Sequence, residues 1–281
     1  MVESILWNVA LPAVCVSAGL VCFWWPLKSG GRWWSRGLVV IALMLGLVGS
    51  FLVDRGIPAW PVVQAWQGLV WLALLLALMG WCDVYVGSHA WAARVLLASL
   101  TGLVACWIMS LPDVTPLLFA LVVGTGVFLG GMFDSGPQRG IPMLVGVAAA
   151  ATALSLATLM ANSITVSLMS ASLAASSVAT LVVAILLMGR KVCDIGGGGA
   201  ACGGLLFALA LTSWTYDYDM VPEWTWLLAL SGFPLLFVLE LRSLSAWHGA
   251  SSIVMRSIVA AAPPMAAIAL NWNDILGALR A

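Results

Sequence analysis

The sequence predicts an all-α membrane protein, a bundle of about ten transmembrane helices with the N-terminus and C-terminus both on the outer side. Three observations predict it. Hydrophobic residues make up 63% of the 281 residues, with a mean hydropathy of +1.10. Charged residues make up only 8%, and 11 basic residues balance 11 acidic ones. Apolar runs near the roughly 20 residues that a spanning helix needs recur along the whole chain. A soluble domain runs at about 45–50% apolar and about 25% charged, because its surface must be covered by polar groups. Soluble enzymes, disulfide-stapled secreted domains and disordered tails are therefore excluded. Zero net charge excludes a nucleic-acid partner, which would require excess basic charge.

Ten apolar stretches follow one another at 5–25, 37–53, 61–81, 91–110, 114–132, 141–161, 163–189, 200–213, 224–240 and 253–271. Short breaks separate them, among them Asp54-Arg55-Gly56, Leu111-Pro112-Asp113 and Asp134-Ser135-Gly136-Pro137. The long run 141–189 is divided at Met160-Ala161-Asn162, and the eighth stretch is short unless it begins in the glycines at 196–199. A membrane barrel would show short segments alternating apolar and polar. Runs such as Leu72-Ala73-Leu74-Leu75-Leu76 do not alternate, so helices are expected.

Charge sets the expected orientation. With the N-terminus outside, the inner side collects Lys28, Arg32, Arg36, Arg94, Arg139, Arg190, Lys191, Arg242 and Arg256, nine of the eleven basic residues. The inverted chain would violate the positive-inside rule. Asp54, Asp113, Asp217, Asp219 and Glu223 then lie outside, and Asp83, Asp134 and Glu240 lie at interfaces. Most of the sixteen tryptophans fall near span ends, where indole sits at headgroup level. The first basic residue is Lys28, so no cleavable signal is expected and the first span serves as an anchor. Residues 1–281 read as a single polytopic domain with short loops. A multi-pass cell membrane, specifically a bacterial inner membrane, is the expected location.

Few residues offer chemistry. His89 and His248 both fall in inner loops, so no in-span haem ligands exist, and no mid-span lysine is present for a retinal Schiff base. Six scattered cysteines form no CxxC pair, although Cys15 and Cys22 share a helix face. His248-Gly249-Ala250-Ser251-Ser252 superficially resembles a serine-protease elbow, but the simpler reading is a helix N-cap by Ser251 or Ser252. Asp217 and Asp219 read as a solvated turn, and Arg256 as a snorkelling side chain. No ionisable residue is expected deep in the membrane. No cofactor, no metal and no catalytic residue is predicted, and the partners are membrane lipids and other membrane subunits.

Two segments carry the functional expectation. Residues 152–180 contain eleven Ser or Thr among 29. Within them Ser163, Ser167, Ser170, Ala174 and Ser177 recur at spacings of 4, 3, 4 and 3, a continuous face of one helix. Such a seam either lets a neighbouring helix approach or lines a solute path. Thr125, Ser163, Ser167, Ser170 and Ser177 are the candidate path residues. The second segment is Gly196-Gly197-Gly198-Gly199 after Arg190-Lys191. There Arg190, Lys191, Gly196 and Gly197 are candidate contacts for a phosphate or lipid headgroup, and close packing is the alternative. Cut into halves of five spans, the chain places helix breakers in the fifth span of each: Gly124-Thr125-Gly126 with Gly130-Gly131, and Pro263-Pro264. Interrupted helices at matching positions point to a transporter site.

In length and span count the chain resembles the drug/metabolite-transporter type of ten-helix permease. Its outside termini depart from that family's usual inside ones and its local patterns are absent, so no residue roles are carried over. The leading expectation is a permease-like protein for a small neutral or weakly polar solute, without ATP hydrolysis of its own. A non-enzymatic subunit or scaffold is the alternative, and a lipid-modifying enzyme ranks third for want of acid–base residues.

Overall fold

The structure, a computed structural model, describes residues 10–24, 32–62, 64–86, 91–109, 111, 114–132, 140–161, 163–188, 198–217, 220–242 and 250–280. Among these residues the chain is helical throughout, without strands. The helices are α1 (Leu11–Trp24), α2 (Arg32–Arg55), α3 (Ala65–Val86), α4 (Trp91–Ile108), α5 (Pro116–Gly131) and α6 (Gly140–Met160). They continue as α7 (Ile164–Met188), α8 (Gly198–Thr215), α9 (Glu223–Arg242), α10 (Ala250–Leu270) and α11 (Trp272–Arg280).

Six of them, α3, α4, α6, α7, α8 and α10, are long and apolar enough to cross a bilayer. Shorter apolar stretches occupy α1, α2, α5 and α9. Large apolar side chains also cover the outside: Leu96, Leu103, Leu117, Leu186 and Leu227 are all exposed. A soluble protein does not present apolar surface on this scale. The chain has the architecture of an α-helical membrane protein.

Each predicted stretch holds one of α1–α10. The division of 141–189 falls where α6 closes: Ala161 N–H donates to Ala157 O (3.0 Å) and Ser163 N–H to Thr158 O (2.9 Å). The eighth helix does begin in the glycines, at Gly198, which gives it 18 residues. The nine-residue tail helix α11 was not expected. Asn271 separates it from α10 by donating from Nδ2 to Ala267 O (2.8 Å) and to Thr225 Oγ1 on α9 (3.1 Å). Ile275 of α11 is buried while Trp272 and Asp274 are exposed.

The expected interruptions in the fifth and tenth spans are absent. Both α5 and α10 run through their glycines and prolines as continuous helices. The halves also pack differently: α5 lies along α8, whereas its counterpart α10 lies along α6 and α9.

The core centres on α8, of whose span 78% is buried, against 22% for α10. Its glycines explain the position. A Cβ at Gly126 of α5 would stand 2.5 Å from Gly203 O, and one at Gly203 would overlap Gly126 O. A Cβ at Gly130 would likewise overlap Gly199 O. Two Gly-x-x-x-Gly pairs, Gly126/Gly130 and Gly199/Gly203, thus face each other with the backbones in contact. Gly204 lies between Val127 of α5 and Leu76 of α3. The glycine-rich helix start is packing surface from Gly199 onwards.

Candidate functional site

The hydroxyl-rich helix α7 packs against α6, α1 and α2. Toward α6 it makes a reciprocal clasp. Ser167 Oγ donates to Ser155 O (2.7 Å), and Ser155 Oγ donates to Ser167 O (3.0 Å). Toward α2, Ser50 Oγ donates to Ser172 Oγ (2.9 Å), which itself donates to Leu168 O (2.9 Å). Ser177 bonds within its own helix, to Leu173 O (2.8 Å). Such bonds to the preceding turn are how isolated Ser and Thr residues satisfy themselves in helices.

Three hydroxyls on the same helix are not satisfied. Ser170, Ser176 and Thr180 are fully buried, and none has a hydrogen-bond partner among the described residues. Ser176 faces a defined spot. A Cβ at Gly46 of α2 would come within 2.5 Å of Ser176 Oγ, 3.1 Å of Ala13 O, and would overlap the Ser17 hydroxyl. Ser17 Oγ in turn donates to Ala42 O (3.1 Å). Helices α1, α2 and α7 therefore converge on a glycine with two hydroxyls and backbone oxygens around it. Ser170 to Thr180 covers about 15 Å along α7 at a rise of about 1.5 Å per residue.

Charge is buried within the protein near helix ends, an enclosure that the sequence does not reveal. Asp83 near the end of α3 and Arg94 in the first turns of α4 are both buried, with Nε 3.4 Å from Oδ1. Arg94 Nη1 also lies 3.8 Å from Met132 Sδ. A Cβ on Gly131 would be 3.4 Å from Asp83 Oδ2 and 3.5 Å from Ala200 Cβ. The carboxylate therefore sits beside the first turn of α8, where unsatisfied N–H groups favour negative charge. Asp83 was assigned to an interface and Arg94 to a loop. Near a helix end is correct, but α5 and α8 cover both, and the environment is protein rather than water.

Arg256, expected to snorkel, is also buried and donates to Ser252 Oγ one turn earlier. Its reach is toward the helix start, as snorkelling requires, but it ends on a hydroxyl inside the bundle. Asp217 is not a solvated turn residue. It is buried and accepts from Val221 N–H (3.0 Å) and from the Trp226 indole (3.1 Å), fixing the turn between α8 and α9.

Two grooves open on the outer surface of the bundle. One, of about 330 Å³, runs between α5, α8 and α9, walled by Leu118, Phe207, Trp214, Trp226 and Leu227 with Glu223 at its edge. The other, of about 220 Å³, lies between α4 and α5 and is floored by Ala98, Ser99, Ala120, Gly124 and Thr125.

The predicted path residues are thus divided. Ser167, Ser170 and Ser177 are buried on α7, and Ser163 is half-buried at its start. Thr125 is exposed on α5 and belongs to the small-residue groove instead. Ser176 and Thr180 were missed: the 4-3-4-3 spacing selects one face, whereas α7 is buried on several. Arg190, Lys191, Gly196, Gly197, His89, His248 and Cys193 lie outside the described residues. Among the described residues no three His, Cys, Asp or Glu side chains gather as a metal site.

The fold and site define an α-helical membrane protein with a hydroxyl-bearing interior. No family model and no curated protein matches the sequence.

Proposed function

We propose that the chain is a permease-like protein that binds or moves a small neutral or weakly polar solute, without ATP hydrolysis of its own. The observation that carries this reading is the row of buried, unpartnered hydroxyls, Ser170, Ser176 and Thr180. An orphaned buried hydroxyl costs roughly 1–3 kcal/mol, and native proteins satisfy such groups with water or a ligand. Ser176 and Thr180 lie one turn apart on one face, with Ser17 opposite Ser176, and Ser170 lies about 120° round the helix, so α7 presents hydroxyls to more than one neighbour inside an apolar bundle. The solute class follows from the polar groups: hydroxyls that donate or accept and backbone oxygens that accept, with no charged side chain among the described residues nearest Gly46, suit a neutral partner. The reading includes ten membrane spans, both termini outside, and a bacterial inner membrane as the location, from the nine-to-two distribution of basic residues.

Cysteine accessibility tests it. In a chain freed of its six native cysteines, Ser176→Cys should react with a small water-soluble thiol reagent, and Gly46→Val should block the reaction. No reaction at 176 or at Ser170→Cys from either side would remove the path. Topology is tested with Met220→Cys, since Met220 is exposed beside the α8–α9 turn. It should label in intact cells, and Lys191→Cys only after permeabilisation.

A second reading, a subunit of a larger membrane complex, is favoured by the α4/α5 groove. Small residues on an outward face are the surface another helix uses for close approach. Thr125→Trp would close that groove, and loss of a co-purifying subunit would support this reading over the first.

A further inference from the structure

We infer that the groove between α5, α8 and α9 is a binding site for a bilayer phospholipid with a primary ammonium headgroup, held by Glu223 at the groove's edge. This inference is independent of the solute path, which lies on the other side of α8's neighbours, among α1, α2 and α7.

Three features support it. First, the groove is built of rigid parts. Trp226 is buried, and its indole is tied to Asp217, which is itself fixed by the Val221 N–H. The floor is α8, the most deeply buried helix, here presenting Phe207, Ala210 and Leu211. A groove fixed before binding orders the ligand alone. Second, the volume of about 330 Å³ falls at the lower end of ligand sites, and its walls are apolar with one charged residue. From Phe207 to Trp214 the floor runs about 10 Å along the helix, which suits the upper part of an extended acyl chain. Third, Glu223 is exposed and makes no hydrogen bond or ion pair with any described residue. Its position at the start of α9, next to the exposed Trp224 and opposite Trp214, is that of a headgroup-level residue. A carboxylate only accepts hydrogen bonds, and a primary ammonium offers three donors. A quaternary ammonium offers the charge without the donors, and a glycerol headgroup offers donors without the charge. The chemistry therefore ranks phosphatidylethanolamine above phosphatidylcholine and phosphatidylglycerol.

The test uses the full chain in detergent, with each of these three lipids added at neutral pH and the bound lipid counted by native mass spectrometry. Wild-type protein should retain phosphatidylethanolamine at least about fivefold over the other two, as expected of a charge-assisted hydrogen bond. Glu223→Gln should erase that preference while leaving acyl-chain binding. Leu227→Trp, on an exposed wall position where enlargement leaves the core untouched, should reduce retention of all three. Equal retention by the wild type, or a preference that survives Glu223→Gln, overturns the assignment. Because lipid retention is read without transport or thiol access, its failure leaves the solute path standing, and failure of the path leaves the lipid site standing.

Discussion

Helices α7 and α8 are both deeply buried and both rich in small residues, yet they hold their neighbours by different means. On α8 the glycines bring backbone against backbone: Gly199 and Gly203 meet Gly130 and Gly126 of α5 at separations that no side chain would tolerate. On α7 the serines reach out instead, clasping α6 through Ser167 and Ser155 and α2 through Ser172 and Ser50. In lipid, burying apolar surface between helices gains little, so association depends on contact distance and on hydrogen bonds. α8 uses the first and α7 the second. The serine interface leaves three hydroxyls over, and that excess is what makes α7 the functional candidate.

Four experiments would break or sharpen this contrast. The largest effect is expected where α8 meets charge. Asp83→Leu leaves Arg94 buried without its carboxylate and should cost about 3–5 kcal/mol, and Asp83→Leu with Arg94→Met should recover most of it. Detergent unfolding of the single and double variants measures this; a double variant as unstable as the single would mean the ion pair is not the unit. Next, Gly130→Val forces α5 off α8 and should cost at least about 3 kcal/mol, at or beyond the upper end for overpacking, because the obstacle is backbone that cannot rotate away. A loss under about 1 kcal/mol would show that the two backbones are not in contact.

Ser167→Ala is expected to be mild, about 0.6 kcal/mol, the average for a hydrogen bond between membrane helices. The same thermal-shift series reads it directly, and a loss comparable to Gly130→Val would make the two interfaces alike after all. The change of opposite sign belongs to Ser176→Ala, which removes a buried hydroxyl without a partner among the described residues and should stabilise by about 1 kcal/mol, the low end of the cost of such a group. Its sign is informative. Mild stabilisation fits a hydroxyl that waits for solute, whereas destabilisation above about 1 kcal/mol fits one that is already bonded to a resident water.

The location of the helices was legible in the sequence because apolar length is a local property. Residues 164–188 and 198–215 announce themselves by composition alone. The tail helix α11 was not legible: its nine residues are too polar to register as a span, and it forms where Asn271 caps α10 against Thr225. The seam on α7 was half legible. Spacing found Ser167 and Ser170, but it assumes a helix with one buried face. α7 is enclosed by α1, α2 and α6, so Ser176 and Thr180, on other faces, count equally.

The sequence by itself determined that this is a helical membrane protein, where its helices run, and that its small residues concentrate in α7 and α8. Only the tertiary structure decided what those residues do. It decided that the glycines at 199 and 203 are contact surface, and that Asp83 and Arg94 are an interior pair. It also showed that Asp217 is a clamp on Trp226, and that three hydroxyls on α7 lack partners among the described residues. The physical reason is that hydropathy measures a residue against solvent, whereas burial, pairing and close approach are set by which helix arrives opposite, and those helices come from distant parts of the chain.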